Sequence, residues 1–265
     1  TDLPRSSGGA ATVVTVHDLA LFDVPWAFHE PVRAVKAAAV ASAIRRADVV
    51  ISVSAFTAER VAARFGRTSV IVHEAAAPGF GVPDAAAVRA VRERHSLPER
   101  FVLYVGNLEP RKDVPTLAAA CRAAGLPLVV AGGALRRGAR LDPTTVELGY
   151  VDAAELPALY AAATVVGYVP RYEGFGLPPV EAMASGAAVV ATRVGALPEI
   201  AGEGIEFVAV GDVDDQARAI TRLAADAALA DHRRRSAIAA AGALSWGATA
   251  LGHTEVYRSL LGTHH

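Results

Sequence analysis

Two carboxylates, Glu173 and Glu181, flank a glycine-rich stretch that reads RYEGFGLPP from Arg171 to Pro179 and leads into VEAMA. Glycine lets backbone amides approach a ligand closely, proline suits a first helical turn, and exposed amides at a helix start favour an anion such as a diphosphate. Glu173 lies before the turn, and Glu181 is expected within the first turn of the helix. There it either complements the helix dipole or joins Glu173 in accepting hydrogen bonds from sugar hydroxyls beside the phosphates. The residues by themselves leave both readings open. A second loop, NLEPRKD from Asn107 to Asp113, sets Arg111 and Lys112 side by side. Lysine occurs only at positions 36 and 112, the other 24 of the 26 basic residues being arginine. Lys112 therefore stands out as a point charge for a phosphate, with a solvated loop pair as the alternative. The third candidate is His17-Asp18, either a satisfied strand-end pair or a group facing a cleft between two domains.

Two patterns are decoys. Asp212-Val213-Asp214 has the Asp-x-Asp form of some metal sites, but it precedes a helical stretch in which Asp214 or Asp215 is expected as an ordinary N-cap. Gly174 and Gly176 lack the third glycine and the distant acidic residue of a dinucleotide fingerprint, which disfavours an oxidoreductase using NAD.

These loops need a scaffold that places them together. From Thr12 the chain alternates short β-branched runs with alanine-rich helical stretches, the pattern of an α/β protein with parallel sheets. Strands are expected at 12–16, 49–53 and 70–72, with helices at 35–47 and 56–65 between them. Pro78, Gly79, Gly81 and Pro83 then form a breaker cluster, followed by a charged helix at 85–95. A second block opens at Phe101 and carries five expected strands: FVLYVGNL, LPLVVAGG, TVELGYV, TVVGYVP and AAVVATRV. Open α/β sheets bind ligands at the carboxyl ends of their strands, and all three candidate loops follow a strand. A doubly wound domain usually has about six strands, so the first block, with three, reads as the back half of a domain whose front half is absent.

The 265 residues carry 26 Lys and Arg against 27 Asp and Glu, and 52% are hydrophobic. Global disorder is excluded, and a net charge of −1 offers no footprint for nucleic acid. A single cysteine, Cys121, rules out an internal disulfide and a multi-cysteine zinc site and fits a reducing compartment. No secretory pattern opens the chain. The uncharged stretch 236–254 is about long enough to span a bilayer, but its glycines, Ser245, Thr249 and His253 argue against a membrane helix.

The motifs, taken in order, resemble a known family. TVHDL (Thr15–Leu19), ISVSAFTAERV (Ile51–Val61), YVGNLEPRKD (Tyr104–Asp113), LGYVDAAELPALY (Leu148–Tyr160), EGFGLPPVEAMASG (Glu173–Gly186), GALPEIAG (Gly195–Gly202) and Ser245-Trp246 are similar to the retaining glycosyltransferases of family 4, or group 1, and most of all to bacterial mannosyltransferase-like members. The resemblance implies a GT-B fold, two Rossmann-like parallel-sheet domains of which the first is here incomplete. Residues 1–82 would be part of an acceptor-side domain, 83–97 a linker helix, 98–245 the nucleotide-sugar domain, and 246–265 a C-terminal helix packing back on the first domain.

The resemblance also implies roles. Glu181 would hold the ribose hydroxyls, Glu173 the donor sugar, and Arg111 and Lys112 the diphosphate, with amides around Gly176 and Leu177. Tyr150 and Val151 would line the base pocket, Gly106 and Asn107 would belong to the donor site, and His17 would reach the sugar from the first domain. The implied reaction transfers a hexose, mannose in the subgroup resembled, from a GDP- or UDP-sugar to a glycan or lipid-linked acceptor with retention of configuration. It needs neither metal nor protein nucleophile, and it runs in the cytoplasm or at the inner face of the membrane, with peripheral membrane association. A non-catalytic nucleotide-sugar-binding fragment is the alternative. The sequence departs from the family at Asn107, where many members have arginine, at Arg171 (serine), at Ala188 (proline) and in HEAAAPGF, which lacks the usual glycine. The family's N-terminal glycine-rich loop has no counterpart before Thr12.

Overall fold

The computed structural model describes residues 10–133 and 141–262. The reading of the chain's opening, and the outer ends of the first and last expected segments, fall on residues outside these. Two parallel sheets are present. The first comprises β1 (Val13–Val16), β2 (Val49–Ser52) and β3 (Val70–Ile71), paired in chain order β1-β2-β3. It is connected by α1 (Ala20–Asp23), α2 (Val32–Arg46) and α3 (Ala55–Phe65). The bounds of α3 follow from local chemistry. Ser54 accepts a hydrogen bond from the Thr57 amide at the start, and Gly66 closes the helix in a left-handed conformation at φ 63°.

After α4 (Ala85–Arg94) comes the second sheet: β4 (Val102–Val105), β5 (Leu128–Ala131), β6 (Val146–Gly149), β7 (Val165–Tyr168), β8 (Val189–Thr192) and β9 (Ile205–Val208). Its helices are α5 (Val114–Ala123), α6 (Leu156–Ala162), α7 (Leu177–Ala184), α8 (Leu197–Ile200), α9 (Val213–Ala225) and α10 (Ala227–Gly242). The order β6-β5-β4-β7-β8-β9 is that of a complete doubly wound sheet. Among the described residues it has six strands rather than five. The additional β9, IEFV, breaks its apolar run with Glu206, whose carboxylate is held by Arg222 and Arg233. Strands β5, β7 and β8 are buried at every position, as expected where helices cover both faces of a parallel sheet.

Three further findings refine the sequence reading. The N-cap of α9 is Asp212, which accepts from the Asp215 amide at 2.9 Å. Asp215 instead accepts from Ala209 N, so neither it nor Asp214 is the cap. The helix at 85–94 packs on α6: Arg92 donates to Ala162 O, and His95 Nε2 lies 3.1 Å from Glu155. The uncharged stretch 236–254 breaks at 243–245 between α10 and α11 (Trp246–Gly262). No helix among the described residues is long and apolar enough to cross a membrane. Helix α11 lies on the first sheet, where Val256 packs with Ile51 and Val72 and Thr249 Oγ1 donates to His73 O at 2.6 Å.

Candidate functional site

In the second sheet the strand order reverses between β4 and β7, and a doubly wound sheet opens a ligand crevice at such a point. The loop after β4 carries Arg111 and Lys112, and the loop after β7 carries Glu173, so topology brings together residues 61 apart in sequence. Lys112 Nζ donates to Tyr168 Oη at 2.6 Å and to Glu173 Oε2, which also accepts from Tyr168 Oη. Arg111 Nη1 stands 3.6 Å from the same carboxylate oxygen, while its Nε binds Glu109 at 2.8 Å. Gly174 N donates to the other oxygen, Glu173 Oε1, at 3.2 Å.

Both partners of the central pair are nearly sealed from solvent, each side chain being 11% exposed. Burial pushes the Glu173 carboxyl up, but Lys112, Tyr168 and Arg111 more than offset it and hold it below its ordinary range. Burial dominates at Lys112 and lowers its ammonium despite Glu173. Burial likewise pushes the Tyr168 phenol far up, so it acts as a hydrogen-bond donor. Sequence reasoning did not single out Tyr168, which reads as an ordinary strand residue. Arg171, the departure from the family pattern, pairs with Asp113 at 2.9 Å and so braces the start of α5.

Glu181 sits one turn deeper than expected, because α7 begins at Leu177 with Gly176 (φ 96°) as its N-cap. The carboxylate is half-buried and accepts from Tyr160 Oη at 3.3 Å. Burial raises it above the usual carboxylate range in spite of that bond. Pro178 and Pro179 have no N–H, and the Val180 amide is engaged by Gly176 O at 3.3 Å. The amides this helix start can offer to an anion are thus those of Gly176 and Leu177. Val151 is buried, whereas Tyr150 is 87% exposed. Gly106 ends β4 with its amide on Ala131 O, and Asn107 is exposed beside it, its carbonyl accepting from Tyr104 Oη.

The first sheet meets this site through the loop 172–174. A Cβ at Gly174 would lie 1.9 Å from His17 O, so only glycine permits the approach. Ser54 Oγ donates to Gly174 O at 3.1 Å, and Glu199 accepts from Ala55 N at the start of α3. Tyr172 Oη accepts from Leu19 N at 3.1 Å and donates to Asp23, which Arg60 holds with two bonds of 2.8 Å. The His17 ring is 60% exposed, and its Nδ1 lies 3.2 Å from Glu74 Oε1. The bond to Glu74 raises the His17 pKa above its ordinary value against a smaller opposing effect of burial. The structure therefore brings Arg111, Lys112 and Glu173 into one cluster and sets the His17 backbone against its edge. Glu181 and Gly176 lie on the adjoining helix, and Tyr150 and Asn107 are exposed. Among the described residues no three His, Cys, Asp or Glu side chains converge as a metal site.

Residues 89–241 match the family Glycosyl transferases group 1. O-antigen chain mannosyltransferase B of Escherichia coli is 30% identical over 224 residues, covering 76% of this chain and 58% of that protein. A GDP-mannose-dependent alpha-(1-6)-phosphatidylinositol monomannoside mannosyltransferase of Mycolicibacterium smegmatis is 32% identical, covering 91% of this chain and 66% of that protein. The chain thus spans between about half and two thirds of the length of these two relatives. Among solved structures, sucrose-phosphate synthase from Thermosynechococcus elongatus superposes with a TM-score of 0.78 at 28% identity, covering 95% of this chain and 68% of that one. The GT-B arrangement expected from the motifs, with two Rossmann-like sheets, is the one the chain has. Since the family match runs over more than half of the sequence, the chain belongs to the glycosyl transferases group 1.

Proposed function

We propose that this chain binds a nucleoside-diphosphate sugar at the β4/β7 crevice and serves a retaining hexosyl transfer, with GDP-mannose as the donor. The observation that carries the reading is the cluster at the sheet's switch point, where Arg111 and Lys112 face Glu173 beside the start of α7. The cations take the diphosphate, helped by the amides of Gly176 and Leu177, and Glu181 takes the ribose hydroxyls. When the donor enters, Lys112 exchanges Glu173 for a phosphate oxygen, and Glu173 exchanges Lys112 for sugar hydroxyls. The closed pair keeps either charge from being buried uncompensated while the site is empty.

As the glycosidic bond breaks, negative charge grows on the departing diphosphate, and fixed cations lower the barrier most when they meet charge that develops in the transition state. The acceptor hydroxyl attacks from the face the phosphate leaves, and its proton passes to a phosphate oxygen. No metal or protein nucleophile is needed for this route. Mannose is favoured by the names of the two mannosyltransferase relatives and GDP by that of the Mycolicibacterium smegmatis protein, and those names also point to a glycan or lipid-linked acceptor. Calorimetry with GDP, UDP, GDP-mannose and UDP-glucose tests the reading. GDP-mannose is expected to bind most tightly, and absence of binding by all four overturns it. Transfer of mannose to an acceptor separates catalysis from binding alone.

A further inference from the structure

Glu74 follows β3 and His17 follows β1, strands that are not neighbours, since β2 lies between them. Their side chains meet across the carboxyl end of β2, where Ser52, Val53 and Ser54 are small and fully covered. The Glu74 carboxylate is shielded, its side chain 13% exposed, and among the described residues its ion-pair partner is His17. Isolated pairs in open solvent contribute little. This one sits beside the contact at which His17 O touches Gly174, one residue from Glu173.

We propose that Glu74 is a positioning residue for His17, fixing the imidazole with Nδ1–H on its carboxylate so that Nε2 is the atom presented to the sugar of the donor. The two ring nitrogens are distinct, and the partner of one sets what the other can do. With Nδ1–H bound to Glu74, Nε2 donates when the ring is charged and accepts from a sugar hydroxyl when it is neutral. Orientation is the same in both states. The charged groups that act on the ring are Asp18 on its own loop and Glu74 from the segment after β3, while Thr57 of α3, its hydroxyl 3.4 Å from His17 O, and the Gly174 backbone of the second unit stand against the His17 carbonyl. Glu74 and Asp18 both favour the imidazolium.

The inference rests on the proposed donor site, and its test separates the two. In protein labelled with 15N-histidine, His17 is assigned among the eight histidines by loss of its signals in His17→Asn. The wild type is expected to show a neutral ring protonated at Nδ1 and a titration above the ordinary range. Glu74→Ala is expected to release both, while Glu74→Gln, whose amide oxygen still accepts from Nδ1–H, keeps the tautomer and loses the raised titration. The preference for GDP-mannose over GDP should fall about ten-fold in Glu74→Ala, the scale of one hydrogen bond. It should fall no further when that change is added to His17→Asn. An unchanged tautomer in Glu74→Ala, or a second loss on top of His17→Asn, overturns the role of Glu74. If the wild type binds no GDP-mannose, the donor reading fails, and the tautomer measurement still decides the pair.

Discussion

The two sheets of this protein bury their apolar residues in different ways. Around the second sheet one continuous cluster runs from Phe101, just before β4, through Leu117, Leu159, Met183 and Ile220 on four different helices. Around the first, buried residues fall into separate small groups, one under α2 and α3 at Ile44, Val50 and Val61, one at Ala20, Val24 and Ala27, and one beneath α11. The second group is completed by Tyr172, a residue of the second unit. One unit thus carries its own core and the charged cluster, whereas the other takes part of its burial and much of its polar fastening from its neighbour. A difference in self-sufficiency follows. Changes to the cluster should be felt within the second unit, and changes to Tyr172 or Gly174 should be felt in the first.

The largest expected effect tests the first half of that statement. Lys112→Ala leaves the Glu173 carboxylate buried with Arg111 3.6 Å away and should cost about 3 kcal/mol of stability. Adding Glu173→Gln removes the stranded charge and should recover most of the loss, as read from urea unfolding midpoints. A double variant no more stable than Lys112→Ala would mean that the pair does not govern the energetics of the cluster. Next in size is Tyr172→Phe, which deletes the bonds to Asp23 and Leu19 N and should cost about 1.5 to 2 kcal/mol, because one partner is charged. Hydrogen exchange should speed up at residues 19–23 while GDP affinity holds. Uniform acceleration across both sheets would show that the units are not energetically distinct.

The smallest effect is a pH response confined to the second unit. Burial raises the Glu181 carboxyl, so it gains its proton at a higher pH than an ordinary carboxylate as the solution is acidified. A protonated carboxyl accepts hydrogen bonds poorly, and GDP affinity should therefore be full at neutral pH and weaken by about ten-fold or less in mild acid. Glu181→Gln should flatten the profile, and Tyr172→Phe should leave it in place. A profile shifted by Tyr172→Phe would couple the units more tightly than their packing indicates.

What could be read from residue order and what could not divide along a physical line. Strands β1, β2, β4, β5, β7 and β8 are β-branched or alanine-rich runs flanked by turn residues, and short-range pattern is enough to find them. Strand β9 is not among the expected strands, and the charge of its Glu206 is answered by Arg222 and Arg233 on α9 and α10. Motif spacing singled out Arg111, Lys112, Glu173 and Glu181. The hydroxyl of Tyr160 that binds Glu181 and the carboxylate of Glu74 that binds His17 depend on contacts between separate segments, and the bond from Tyr168 to Glu173, though it spans only five residues, depends on how the loop after β7 folds back on its strand. The depth of Glu181 in α7 turned on a boundary of a few residues, the least certain feature of any helix inferred from pattern.

The sheet orders bear on how the chain acquires its shape during synthesis. In the first sheet each strand pairs with the one made just before it, so the layer can grow as the polypeptide emerges. Strand β4 has a different history, because its partner on one side is β5 and on the other is β7. Half of its edge stays open while the intervening chain is translated, and the nascent protein carries the ammonium of Lys112 for 61 residues before Glu173 exists to neutralise it. The contact that marks the crevice is therefore among the later ones to close, and such long-range closure is what slows the folding of parallel sheets.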